Sequence, residues 1–158
     1  MDWDEIECLT EAYQGGFEGA LALGERPMPI GISIRRGMCD ESFEITRTSL
    51  GYPIHSVEDV HSLAEEVSLR SRDCFASGMV ALVPRKVACE LLNIPPEGSA
   101  SVAVLHMEHV TDGTKTWVLD VPNYIPVGDW DLVSKGSWSK LPPFFHTLRY
   151  GLGGAAKC

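Results

Sequence analysis

Four side chains stand in an order that chemistry can use: Cys74, then His106 and His109, then Asp120. A cysteine attacks a carbonyl carbon as its thiolate, an adjacent imidazole handles the proton, and a carboxylate orients the ring. Cys74 lies in the run Asp73-Cys74-Phe75-Ala76. A helix starting there would have Asp73 as its cap and would lend the thiol its positive end. His106 follows Val102 and Val104 on one face of an expected strand, while His109 falls on the other. Trp117-Val118-Leu119-Asp120 then brings a carboxylate back after a turn at Asp112-Gly113. A hairpin loop of three or five residues sets Asp120 opposite His106, and a loop of two or four sets it diagonally near His109. The candidate catalytic set is therefore Cys74, His106 and Asp120, with His109 as alternative base. Cys39, in Arg36-Gly37-Met38-Cys39, is the alternative nucleophile, and Cys89 reads as core within a short helix.

These residues need elements to hold them. Trp3, Ile6, Leu9 and Tyr13 recur at helical spacing until Gly15-Gly16, which predicts a short helix near 3–14 with an acidic outer face and a loop beyond it. Ile30, Ile32 and Ile34 alternate, as do Phe43 and Ile45, the pattern of a hairpin over about 30–46. Ser56-Val57-Glu58-Asp59 opens a helix over 56–70 with a capping-box signature, and Val57, Val60, Leu63 and Val67 form its apolar stripe. The run Gly78 to Val83 is a buried strand or a helix body, which periodicity does not decide. A third helix follows Pro84 to about residue 93, before the hairpin at 101–121. The expectation is a single α+β domain over 1–158, antiparallel hairpins on three short helices, with a loop-rich segment over 122–158.

Composition narrows the class. The 158 residues are 44% hydrophobic and 22% charged, as in an ordinary globular domain. A net charge of −9 opposes a polyanionic partner, so nucleic acid is not expected. No apolar run approaches the roughly 20 residues of a membrane helix, so no membrane partner is expected. The start Met1-Asp2-Trp3-Asp4-Glu5 is acidic where a signal peptide is basic, which predicts an intracellular (cytoplasmic) protein or one released from a larger precursor. Five cysteines without CxxC spacing read as free thiols. No pair among Cys39, Cys74, Cys89, His106 and His109 has the spacing of a structural zinc site, and no phosphate-cradling glycine motif occurs, so neither metal nor cofactor is expected. No pattern sets an oligomeric state.

The order Cys74, Leu92-Asn93-Ile94-Pro95, His106, Trp117 and Asp120-Val121-Pro122 resembles the transglutaminase-like branch of the papain-like cysteine protease superfamily. Viral leader proteases have a similar His and Asp hairpin. The likeness spans about 50 residues. This sequence departs from the pattern with Met107 after the histidine, Asn93 in place of glycine, and a Trp117–Asp120 spacing one residue short. The resemblance implies a papain-fold cysteine hydrolase or acyl transferase, a thiol protease acting on a protein or peptide substrate. Tyr150-Gly151-Leu152-Gly153-Gly154 is similar to the self-cleavage site of potyvirus-type leader proteinases, which makes Gly153 and Gly154 a candidate cleavage site. The stretch Val83-Pro84-Arg85-Lys86-Val87 through Gly98 resembles the swapped-hairpin transcription factors, though the acidic charge opposes DNA binding. The alternative is a non-enzymatic interaction domain. It would use Trp130, Trp138, Phe144 and Phe145 as a partner surface and the acidic N-terminal helix to steer association.

Overall fold

The computed structural model describes residues 3–37, 42–109 and 113–133. Its elements run α1 (Trp3–Ala22), β1 (Ile30–Arg36), β2 (Phe43–Ser49), α2 (Val57–Arg70), β3 (Ala76–Pro84), α3 (Arg85–Leu91), β4 (Ser101–His109), β5 (Gly113–Asp120), a 3-10 turn (Pro122–Tyr124) and β6 (Val127–Leu132). The strands form one six-stranded sheet in the order β2-β1-β3-β4-β5-β6, and each neighbouring pair is antiparallel. α2 and α3 cover one face and α1 the other, so the fold is α+β in three layers.

α2 forms where its cap says it should. The Ser56 hydroxyl accepts from the Asp59 amide, and the Asp59 carboxylate accepts from the Ser56 amide and, at 2.8 Å, from the His55 amide. These reciprocal bonds satisfy amides that the first helical turn leaves open. Val60, Leu63, Ala64 and Val67 are buried against the sheet.

α1 does not stop at Gly15-Gly16 but continues to Ala22. Each glycine costs a helix interior about 1 kcal/mol relative to alanine. The stripe Leu9, Tyr13, Phe17, Leu21 overrides that cost, because Phe17 and Leu21 are only 5% exposed and each such burial is worth about 1.5–3 kcal/mol.

The undecided run over 78–83 is β3, central in the sheet between β1 and β4. Its uninterrupted apolar character follows from having both faces covered. Gly78 is required there, since a Cβ would collide with Met107 Sδ and the His106 carbonyl on β4.

The segment after Val121 is not all loop. Asn123 and Tyr124 take positive φ (52° and 64°) and turn the chain back so that β6 pairs with β5. β6 is an edge strand exposed along almost its whole length, so it carries no apolar alternation to announce it. Among the described residues, no helix is long and apolar enough to cross a membrane.

Candidate functional site

β4 and β5 bring different residues together from those the sequence suggested. His109 pairs with Gly113, and His106 lies opposite Thr116. Asp120 lies opposite Val102, four residues further along the strand, or about 13 Å at the rise of a β-strand. It shares His106's face but is out of reach, because the register is offset by four residues from a His106–Asp120 pairing. His109 points to the opposite face, its ring 6.1 Å from that of Phe75.

Asp120 has a structural partner instead. Its carboxylate is ion-paired with the Arg85 guanidinium. Arg85 also donates to the carbonyls of Ser99 (2.6 Å) and Pro95 (2.8 Å), and the Ser99 hydroxyl donates to Asp120 at 3.2 Å. This clamp ties the loop between α3 and β4 to β5. Gly98, at φ +132°, lies so close to the guanidinium that a side chain would displace it.

Cys74 does not open a helix. It sits in the turn between α2 and β3, where its amide donates to Ser71 O and its thiol to Arg70 O at 3.5 Å. It therefore lies at the negative end of α2, which disfavours a thiolate. Burial pushes the thiol above its ordinary range, Arg35 opposes that shift and Asp73 adds to it. Cys74 precedes the Ala76–His109 rung, whereas His106 stands on the Met79 rung, about 10 Å further along. The thiol and the His106 imidazole are thus held apart. Cys89 is half-buried rather than core, its thiol facing the carbonyls of Ile94 and Pro95. Cys39, Gly153 and Gly154 lie outside the described residues, as do Trp138, Phe144 and Phe145.

His106 belongs to a buried polar cluster that sequence reasoning missed. Its Nδ1 is 2.7 Å from Thr116 Oγ1 and its Nε2 is 3.2 Å from Glu108 Oε2. His106 is 0% exposed and Glu108 1%. Ser77, on the same rung as Glu108 and Ser33, shares a 2.6 Å hydrogen bond with Ser71, which donates to Val67 O in the last turn of α2. The signal was the i, i+2 spacing of His106 and Glu108, which places both under α2. A hydroxyl, an imidazole and a carboxylate in series are components of a proton relay. Sealed in the interior, His106 is bonded at both ring nitrogens, and the separate Ser71–Ser77 bond ties β3 to the end of α2. Among the described residues, no group of three or more His, Cys, Asp or Glu is placed to hold a metal ion.

Open space lies on the opposite face. A cavity of about 640 Å³ separates one flank of α1 from the β1–β2 side of the sheet. Its roof is Leu9, Ala12, Tyr13, Gly16, Phe17 and Ala20, and its floor is Ile30, Ile45 and Val80. Pro27 and Met28, in the link from α1 to β1, also line it, and its polar lining side chains besides Tyr13 are Glu25, Arg47 and Ser49. The Arg47 guanidinium lies 5.8 Å from the centre of the Tyr13 ring. A second recess of about 480 Å³ lies beside the Arg85 clamp and is walled by Glu97, Asp120, Asp129 and Asp131, with Arg85 already engaged.

The fold and these two recesses define an α+β domain with a three-layer core and an apolar groove. No family model matches the chain, and neither a curated protein nor a solved structure does so.

Proposed function

We propose that this protein is a non-catalytic binding domain whose site is the groove between α1 and the β1–β2 side of the sheet. The carrying observation is the groove itself, about 640 Å³ and lined mainly by apolar side chains. That volume is in the range of small-molecule sites, about 300–1,000 Å³, which are concave and mostly apolar. The interaction reading from sequence is retained, but its surface moves from the tail aromatics to this groove. Trp130 packs edge-on against Phe17, ring centres 6.3 Å apart, and helps support the helix above the groove. Thiol hydrolysis gains no support from the geometry, because Cys74, the two histidines and Asp120 each serve a separate local structure.

A neutral solvatochromic dye such as Nile red should bind the wild type at one equivalent. Ala12→Trp, which projects a large side chain from the exposed roof into the groove, should abolish that binding while leaving thermal stability unchanged. Dye binding that survives Ala12→Trp would place the site elsewhere.

A further inference from the structure

We infer that the groove takes an aliphatic carboxylate, with its hydrocarbon chain under α1 and its anionic head at Arg47; this rests on the groove being the binding site. The argument begins with what the groove lacks. Its floor is the face of the sheet, so an occupant meets the side chains of Ile30, Ile45 and Val80. The free backbone groups of the edge strand β2 point along the sheet plane, away from that floor. A peptide lying in the groove would bury amides with almost nothing to bond them, and each unbonded group disfavours binding. A hydrocarbon chain carries no such groups. The roof spans Leu9 to Ala20, and the helical rise between them gives a channel about 16 Å long.

The head group is set by charge. Arg47 pairs with Ile32 across β1–β2, which puts it on the face that α1 covers. It is exposed and makes no ion pair among the described residues. At 100° per residue, the helix turns Glu7, Glu11 and Glu18 to the flank away from the groove, and Glu7 pairs there with Lys115 at 3.4 Å. The groove flank of α1 from Leu9 to Ala20 therefore carries no acid. Glu25 is the carboxylate among the lining residues, on the link after α1, and it is not bonded to Arg47. A chain held under α1 with its carboxylate at Arg47 leaves both charges in contact with water, which suits an exposed guanidinium.

Calorimetric titration of the full chain with dodecanoate, dodecanol and dodecyltrimethylammonium, all below their aggregation limits, tests this. Dodecanoate should bind one to one and most tightly, and the cationic amphiphile most weakly. Arg47→Gln should weaken dodecanoate by about three- to tenfold and leave dodecanol unchanged. Arg47→Lys should restore most of the loss, and Ala12→Trp should remove both ligands. Equal affinities for the carboxylate and the alcohol, with Ala12→Trp still blocking both, would overturn the anionic class and leave the groove standing. If no amphiphile binds, or if Ala12→Trp has no effect, both the ligand class and the groove reading fall. An unaltered melting midpoint in each variant separates these outcomes from misfolding.

Discussion

Asp120 and Cys74 illustrate how residue types with catalytic credentials come to do structural work. The Asp120 carboxylate is half exposed, but its partner Arg85 keeps only 10% of its side chain accessible. Removing Asp120 leaves the largely buried Arg85 charge short of one bond, whereas removing Arg85 also strips the carbonyls of Ser99 and Pro95 of their donor. Arg85→Met should lower stability by about 2–4 kcal/mol, and Asp120→Asn by about 1–2 kcal/mol, as read from urea unfolding. A neutral outcome for Arg85→Met would remove the clamp. Cys74 allows a sharper test through pH. Its thiol is raised above 9.0, mainly by burial, so the folded protein holds a proton that the unfolded chain releases first. The unfolded state then binds fewer protons, and stability must fall as pH climbs through that interval, having been fully present below it. Cys74→Ala should flatten the decline above pH 9 relative to wild type. At pH 7.5, iodoacetamide should modify exposed Cys8 quickly and buried Cys74 only on unfolding. Rapid alkylation of Cys74 in the folded protein would restore the case for a reactive thiol.

At the scale of elements, what the sequence disclosed depended on whether one physical signal dominated. α2 was legible because its cap and stripe agree: Ser56 and Asp59 at one end, then Val60, Leu63 and Val67 facing the sheet. The second half of α1 was hidden, since three glycines argue for a break and only the burial of Phe17 and Leu21 argues against it. β6 was hidden because an exposed edge needs no pattern. For His106 and Asp120 the undetermined parameter was the β4–β5 register. The face of each residue was legible from alternation, but the Asp112-Gly113 signal left the choice between His106 and His109 open, and the observed register sets His106 opposite Thr116. Of the groove roof, Ala12 lay in the expected helix, whereas Gly16 and Ala20 were inside a segment whose glycines suggested loop. The glycines of α1 also make a direct prediction. A Cβ at Gly15 or Gly19 meets nothing within 4 Å. Gly15→Ala and Gly19→Ala should each stabilise the protein by about 0.5–1 kcal/mol, raising the urea midpoint at unchanged slope. A loss of stability at either position would mean that α1 is not helical there.

For the whole molecule, the two faces of the sheet carry separate core clusters. The α2–α3 face carries a capped helix, the bonds of His106 to Thr116 and Glu108, and the Arg85 clamp at its end. The α1 face carries the groove, and among the described residues Thr10 Oγ1, Tyr13 OH and Trp130 Nε1 are buried on it without hydrogen-bond partners. On the proposed reading, binding belongs to the α1 face, and Cys74, His106 and Asp120 serve local structure in the other elements. The most direct measurement is a two-dimensional amide NMR titration with dodecanol, whose neutral head tests the groove apart from any charge. Shifts should concentrate on Leu9 to Ala20, on Ile30 and on Ile45 to Ser49, leaving Cys74, His106 and Asp120 unmoved. Shifts centred on Cys74 and His106, or on the recess beside Arg85, with α1 silent, would contradict it.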